Sequence, residues 1–249
     1  MRITHPALDS AHIAHAWFGV PYGLPDEFPQ DADKDTIKTK VRQHNLNALG
    51  LQGRQPLFLK QIHSSRVYTA TPLFLKEFNP HKPPEGDALV TQDPDTLLAI
   101  NTADCGPILW HDDKAGIVAA THAGWRGTVA GVIQETFKAM QGLGANPQNT
   151  TAVLGPMIHG NSYQVSEDFR NELGKTSALY TPYFLEKDDG LFFDLPGAIQ
   201  DILKHLNLKS IHWTGQNTGS PGFFSHRRCT KNGTTRGNNE SYICIKPKN

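Results

Sequence analysis

One stretch of the chain decides the fold, residues 88–128, which read ALVTQDPDTLLAINTADCGPILWHDDKAGIVAATHAGWRGT. It contains four short apolar segments bounded by Gly, Pro and Asp, a pattern that is typical of buried β-strands. We predict strands at residues 88–91, 97–100, 107–110 and 116–121. Because no helical pattern separates them, they favour mixed sheets with covering helices over a strictly alternating parallel sheet.

The segment that follows Gly124 has apolar residues at the spacing of an amphipathic helix, and we expect this helix to end near Gly142. Further strands are predicted at residues 57–59, 67–69, 151–154, 210–213 and 242–245. Further helices are predicted at residues 33–49, 166–173 and 195–206. Residues 73–86 hold three prolines and are predicted to be a loop, and the remainder of residues 1–53 is predicted to be irregular.

The composition is that of an ordinary globular protein. The chain has 249 residues, of which 38% are hydrophobic, and we expect one domain over residues 1–249. Lys+Arg and Asp+Glu both number 24, so no net charge attracts a nucleic acid. Three cysteines do not make a disulfide framework, and neither a signal peptide nor a membrane segment is recognisable. The sequence therefore predicts a cytoplasmic protein without a membrane or nucleic-acid partner, and leaves monomer and homodimer open.

Three segments place a metal-binding side chain where a strand gives way to a turn. His63 follows an apolar strand in KQIHSS, Cys105 lies between two strands in NTADCGP, and His122 ends a strand in ATHAGWRGT. Two imidazoles and one thiolate match a catalytic zinc site, which takes three protein ligands and keeps a fourth position open. The alternative is that the histidines are ordinary hydrogen-bonding partners and that the cysteine is buried and inert.

A second feature is a candidate anion site. Arg126 lies between a predicted strand and the N-terminus of a predicted helix, where backbone N–H groups and a guanidinium together favour a phosphate. Arg227 and Arg228 could reach the same anion. A solvated Arg126 and an exposed basic pair at 227–228 are the alternatives.

Six motifs carry a resemblance to a known family. They are KQIH (60–63), DALVT (87–91), TADCGPIL (102–109), HAGWRGT (122–128), LGPMI (154–158) and FFSHRR (223–228). From about residue 57 to the C-terminus, the chain resembles the laccase-domain family, the YfiH-type proteins also called polyphenol oxidase or purine nucleoside phosphorylase. The chain departs from the family pattern at His226, where a Tyr is usual, and at Cys229, where an Asp is usual.

The resemblance implies a fold, a metal and an activity. The fold is an α/β (α+β) single domain in which mixed β-sheets pack as a sandwich with flanking helices. The metal is zinc, held by His63, Cys105 and His122, with copper as the alternative. The activity is phosphorolysis of adenosine, inosine, guanosine and methylthioadenosine, together with deamination of adenosine. The partners are therefore small molecules, a purine nucleoside and phosphate.

Roles for individual residues follow from these assignments. The predicted catalytic residues are Cys105, His122, Asp104 and Arg126. Asp104, beside the cysteine ligand, is the candidate proton shuttle. The predicted phosphate-binding residues are Arg126, Arg227 and Arg228.

Three other functions remain open from the sequence. A copper-dependent polyphenol oxidase would use the same two histidines and cysteine, although the chain has no His-x-His pair of the multicopper kind. A Cys-dependent, amidase-like hydrolase with a role in peptidoglycan editing would use Cys105 as nucleophile and His122 as base. A structural metal site would need a fourth protein ligand, for which His159 and Cys229 are candidates.

Overall fold

The structure is a computed structural model that describes residues 1–9, 12–20, 34–233 and 237–246. The β-strands in these ranges are β1 (Arg2–Ile3), β2 (Ile13–Phe18), β3 (Pro56–Leu57), β4 (Val67–Thr69), β5 (Ala88–Thr91), β6 (Leu97–Thr102), β7 (Gly106–Asp112), β8 (Ile117–Ala123), β9 (Thr150–Leu154), β10 (Gln164–Val165), β11 (Phe184–Lys187), β12 (Gly190–Phe193), β13 (Ser210–Trp213) and β14 (Asn239–Ile245). The α-helices are α1 (Lys34–Leu49), α2 (Pro72–Glu77), α3 (Trp125–Val129), α4 (Val132–Gly142), α5 (Glu167–Thr176), α6 (Leu195–His205) and α7 (His226–Asn232). None of the helices in these described ranges is long and apolar enough to cross a membrane.

The strands form two large mixed sheets and one small sheet. The six-stranded sheet has the order β13-β9-β7-β8-β5-β4, and its two outer pairs are parallel while its central pairs are antiparallel. The five-stranded sheet has the order β1-β2-β14-β6-β3, with one parallel pair between β3 and β6. The small sheet has the order β10-β12-β11. The predicted mixed sheets are confirmed.

The two large sheets pack face to face, and helices cover their outer faces. Leu109 of β7 packs with Leu98 of β6 in the core between the sheets. The neighbouring residues Ile108 and Trp110 point the other way, into a core shared with α4 and α6. On the opposite side, Leu46 of α1 packs against the five-stranded sheet. Because both faces of the central strands are covered, they read as continuous apolar runs, and the predicted sandwich with flanking helices is confirmed.

Two sequence predictions were wrong. Residues 1–53 contain a core strand besides the predicted helix. Every residue of this strand, β2, is buried, and β2 pairs along its length with β14. Part of the predicted loop 73–86 is helix α2, which begins with Pro72 after Thr71 has capped it by accepting a hydrogen bond from the N–H of Phe74. The predicted helix 33–49 is observed as α1, although residue 33 itself lies outside the described residues.

The helix predicted after Gly124 is interrupted once. Gly131 has φ +91°, a left-handed conformation that ends α3 and begins α4. Helix α3 therefore starts directly after β8 at the end of the sheet, and α4 turns back across the sheet with Val132, Ile133 and Phe137 buried against it. The predicted end at Gly142 is confirmed.

Candidate metal centre

The three predicted metal ligands meet at one end of the six-stranded sheet. The ligand atoms of His63, Cys105 and His122 lie within 4.8 Å of one another. The Sγ atom of Cys105 is 3.6 Å from Nε2 of His63. Zinc bonds of about 2.3 Å to sulfur and about 2.0–2.1 Å to nitrogen put tetrahedral donors about 3.5 Å apart, so this donor set fits a zinc-sized ion.

Sheet register brings Cys105 and His122 together. Cys105 immediately precedes β7, and β7 pairs with β8 so that Pro107 lies opposite His122 and Gly106 lies opposite Ala123. The Cys105 thiol and the His122 imidazole therefore lie at the same end of this antiparallel pair. His63 comes from the loop before β4, at the outer side of the same sheet, and its φ of +62° is unusual for a residue with a side chain.

A buried carboxylate organises both histidines. Asp87, which is 0% exposed, accepts hydrogen bonds from the backbone N–H of His63 at 2.9 Å and of Ser64 at 2.6 Å, and these hold the strained loop. Its Oδ1 atom also lies 2.8 Å from Nδ1 of His122. This contact places the ring proton on Nδ1, which leaves Nε2 free to bind a metal ion.

The charges at the centre stabilise a thiolate at Cys105. Burial alone would raise the pKa of Cys105, but His122 and His63 more than offset it and hold that pKa below its ordinary value. Burial would lower the pKa of His122, whereas the Cys105 thiolate and the Asp87 carboxylate raise it above the ordinary value, so a metal ion must displace a proton from Nε2 when it binds. The thiolate that a metal ion needs is thus stabilised before any ion binds.

Gly124 leaves space that the ligands need. A Cβ atom at this position would lie 2.7 Å from Cδ2 of His63 and 2.8 Å from Sγ of Cys105. The backbone of Gly124, with φ −77° and ψ 166°, is one that any residue adopts, so the requirement for glycine is purely one of contact with the ligands. The close approach of the chain at this residue supports a site built around an ion.

We expect Gly124→Ala to weaken zinc binding by about tenfold or more, because the added methyl group displaces two ligands from their common point. Competition with a chromophoric chelator measures this affinity. Gly174→Ala is the matched control, since a Cβ there meets nothing within 4 Å and Gly174 lies in helix α5. The control should bind zinc as the wild type does and gain about 0.5–1 kcal/mol of stability. Equal zinc affinity in both variants would contradict the assignment of Gly124.

The candidate metal centre opens into a cleft of about 820 Å³. His63 is exposed and Cys105 is partly exposed, so the centre faces the cleft and not the core. The cleft is also lined by Asp104, Trp125, Arg126, Tyr163, His226, Arg227 and Lys231. Four of these, Trp125, Tyr163, His226 and Lys231, had no predicted role, and neither did Asp87. The signal available for Asp87 was its place directly before a buried strand.

The structure brings two of the three predicted phosphate ligands into the cleft. The Arg126 guanidinium lies 4.2 Å from the Trp125 ring centroid and 3.5 Å from a carboxylate oxygen of Glu172. The Arg227 guanidinium lies 5.6 Å from the Tyr163 ring centroid. Among the described residues, Arg228 is outside the cleft lining, and its guanidinium donates to carbonyl oxygens of the 219–223 segment.

The remaining predicted residues occupy defined positions. Asp104 lines the cleft beside Cys105, and both of its carboxylate oxygens accept hydrogen bonds. Its role as proton shuttle stays a prediction. His159 and Cys229, both in the described part of the chain, are outside the group of converging ligand atoms, and His159 packs against Trp213 at 4.8 Å between ring centroids.

Known proteins resemble this chain in sequence and in fold. The family model described as "Multi-copper polyphenol oxidoreductase laccase" matches residues 28–246. The purine nucleoside phosphorylase of Deinococcus radiodurans is 37% identical over 182 residues, which are 73% of this chain and 68% of that protein. The purine nucleoside phosphorylase YfiH of Escherichia coli is 31% identical over 185 residues, 74% of this chain and 72% of that protein. The crystal structure of protein NMB0706 of Neisseria meningitidis matches with a TM-score of 0.76 at 25% identity, over 99% of both chains.

Proposed function

Since the chain belongs to the multi-copper polyphenol oxidoreductase laccase family, we propose that it is a zinc-dependent purine nucleoside enzyme. Its reactions are phosphorolysis of adenosine, inosine, guanosine and methylthioadenosine, and deamination of adenosine. The observation that carries the proposal is the convergence of His63, Cys105 and His122 at the base of a cleft that also holds Arg126 and Arg227. The names of two relatives, both purine nucleoside phosphorylases, support the same substrate class.

The donor set favours zinc. Two imidazoles and one thiolate suit a tetrahedral ion with an open fourth position, and neither phosphorolysis nor deamination needs a change of oxidation state. When bound, the ion supplies Lewis acidity and lowers the pKa of a nearby water molecule. Copper is the alternative ion, and metal analysis of the purified protein separates the two.

The protein's own side chains bind and orient the substrates. Arg126 and Arg227 carry positive charge into the cleft, and a guanidinium can hold phosphate through two parallel hydrogen bonds. A cleft of about 820 Å³ is large for a small-molecule site, which typically has 300–1,000 Å³, and it can take a nucleoside and a phosphate together. Asp87 keeps His122 in the orientation in which Nε2 faces the cleft.

We expect purified, zinc-loaded protein to convert inosine to hypoxanthine and ribose 1-phosphate only when phosphate is present. Adenosine should yield inosine in the absence of phosphate. Chromatography of the reaction mixtures measures both products. Chelation should remove both activities, and zinc should restore them. No product from any of the four nucleosides with a full complement of zinc would contradict the proposal.

A Cys-dependent hydrolase is the second candidate, because the two histidines hold the pKa of the Cys105 thiol below its ordinary value. The same assays separate it from the first. Such a hydrolase would keep its activity after chelation and would lose it when iodoacetamide alkylates Cys105 in the metal-free protein. Turnover that is lost on chelation and restored by zinc would exclude this hydrolase function.

A further inference from the structure

Helix α7 supplies one wall of the cleft although apolar packing does not hold it in place. His226, Arg227, Thr230 and Lys231 of this helix line the cleft. None of its seven residues, all of which the structure describes, is buried. A helix of seven residues is also too short to be stable by itself. Polar contacts with the rest of the protein must therefore set its position.

Several of these contacts fix the base of α7 to neighbouring chain. The Ser225 hydroxyl accepts a hydrogen bond from the N–H of Arg228 at 3.1 Å and caps the helix. The Asn239 side chain pairs with the backbone N–H and C=O of Phe224 at 2.9 and 2.8 Å. At the other end of the helix, Lys231 donates to Gln164 at 2.9 Å. These bonds join α7 to β14 and β10, but none of them reaches the metal centre.

Asp104 supplies that connection. Its Oδ2 atom accepts a hydrogen bond from the backbone N–H of Arg227 at 2.7 Å, and its Oδ1 atom accepts one from the Thr218 hydroxyl at 2.7 Å. The same residue precedes the ligand Cys105, and its carbonyl oxygen accepts from the N–H of Ile158 at 3.0 Å. Hydrogen bonds to an ionised carboxylate are shorter and stronger than those between neutral groups.

We propose that Asp104 is a positioning residue that ties the Cys105 turn to α7 and so sets where Arg227 stands in the cleft. The hydrogen bond from the Arg227 N–H to Asp104 fixes the main chain at residue 227, and the Arg227 side chain extends from there toward Tyr163. The functional part of this inference rests on the proposed function, in which Arg227 binds phosphate. A fixed distance between the cysteine ligand and the guanidinium is what an enzyme that joins phosphate to a sugar carbon requires.

The contacts favour this role over proton transfer. Both oxygens of Asp104 accept hydrogen bonds from groups of the protein, the Thr218 hydroxyl and the Arg227 N–H, and Thr218 is fully buried. Asp104 also has φ +91°, a conformation in which Asp and Asn are enriched among residues with side chains. An aspartate at this position therefore does two things: it adopts the left-handed turn before Cys105, and it accepts a hydrogen bond from α7.

Three variants test the proposal in the zinc-loaded protein. Asp104→Asn tolerates the positive φ and removes the negative charge. Its amide oxygen can accept from the Arg227 N–H while its amide nitrogen donates to the Thr218 hydroxyl, so the variant weakens the bonds to α7 and to Thr218 without changing the shape of the side chain. Thr218→Val keeps the side-chain shape and removes the hydroxyl that orients Asp104. Thr218→Ser is the matched control, because it keeps that hydroxyl. Hydrogen–deuterium exchange of residues 225–232 reports the position of α7, and steady-state kinetics report KM for phosphate separately from kcat.

We expect Asp104→Asn to speed exchange of the Arg227 amide and to raise KM for phosphate, each by about three- to tenfold, the effect of replacing a charged hydrogen-bond acceptor by a neutral one. Thr218→Val should shift both quantities in the same direction by a smaller factor, and Thr218→Ser should match the wild type. KM for the nucleoside should change less than KM for phosphate in every variant. Zinc content, measured by mass spectrometry, should stay at one ion per chain.

Two results would overturn the proposal. The first is wild-type amide exchange in α7 of both Asp104→Asn and Thr218→Val. The second is a large fall in kcat of Asp104→Asn with KM for phosphate unchanged, which would assign Asp104 to proton transfer. If the wild-type protein shows no phosphorolysis, the proposed function fails separately, and the exchange data together with calorimetric titration of inorganic phosphate still decide whether Asp104 positions α7.

Discussion

The His122→Ala variant is expected to purify without zinc and to lose turnover of purine nucleosides by about 10³-fold or more. Removal of this imidazole leaves His63 and Cys105, one protein ligand fewer than a catalytic zinc site uses. A metal ion contributes several kcal/mol of transition-state stabilisation, and about 4 kcal/mol corresponds to this factor. Metal content by mass spectrometry and nucleoside turnover by chromatography check the two parts.

His111→Ala is the control for this variant. His111 is a buried histidine on β7, the strand that pairs with the one carrying His122, but it lies opposite Val118 at the far end of the hairpin. The control should therefore lose some stability and keep both zinc and turnover. A His122→Ala protein that retains one zinc ion per chain would show that the ligands assigned here are wrong.

Replacing Asp87 by asparagine is expected to weaken zinc binding by about 10- to 100-fold and to lower the free energy of unfolding of the metal-free protein by about 3 kcal/mol. The amide nitrogen would stand either at the Oδ1 position, where it faces the His63 N–H and His122, or at the Oδ2 position, where it faces the Ser64 N–H. In each case one donor faces another. Chelator competition measures the first effect, and urea unfolding measures the second.

The chain offers a close control for this change as well. Asp112 is as fully buried as Asp87, and its carboxylate accepts hydrogen bonds from the backbone N–H groups of Lys114, Ala115 and Asn146. It lies at the end of β7 away from Cys105. Asp112→Asn should lower stability by a similar amount without changing zinc affinity. If the two variants bind zinc equally well, Asp87 does not orient the ligand.

Three short strands could be predicted closely from the sequence, although two of them, β4 and β13, are only partly buried. The bounds of β5 and β13 agree with the prediction residue for residue, and those of β4 do too, because breakers flank each apolar run. Strand β2 was missed because its pattern contains His15 in a fully buried run, and because its partner β14 lies far along the chain. Local patterns do not report a pairing of that range.

The candidate site could be predicted in part for a similar reason. Each predicted metal ligand lies at a turn next to an apolar strand, and those turns are visible in the sequence. The role of Asp87 was not visible, because it depends on N–H groups of a loop that the fold brings beside it. Arg227 and Arg228 look alike in the sequence, but the Arg228 guanidinium donates to carbonyl oxygens of residues 219–223, so only Arg227 of this pair faces the cleft.

The central place of β14 has a consequence for how the protein is made. β14 lies between β2 and β6, yet the ribosome synthesises it about 220 to 230 residues after β2. At a synthesis rate of roughly 5–20 residues per second, the edge of β2 that pairs with β14 stays unpaired for roughly 10 to 45 s. An open strand edge of this kind recruits other nascent chains. Aggregation during translation, and its prevention by chaperones that bind extended segments, are therefore expected to affect the yield of this protein.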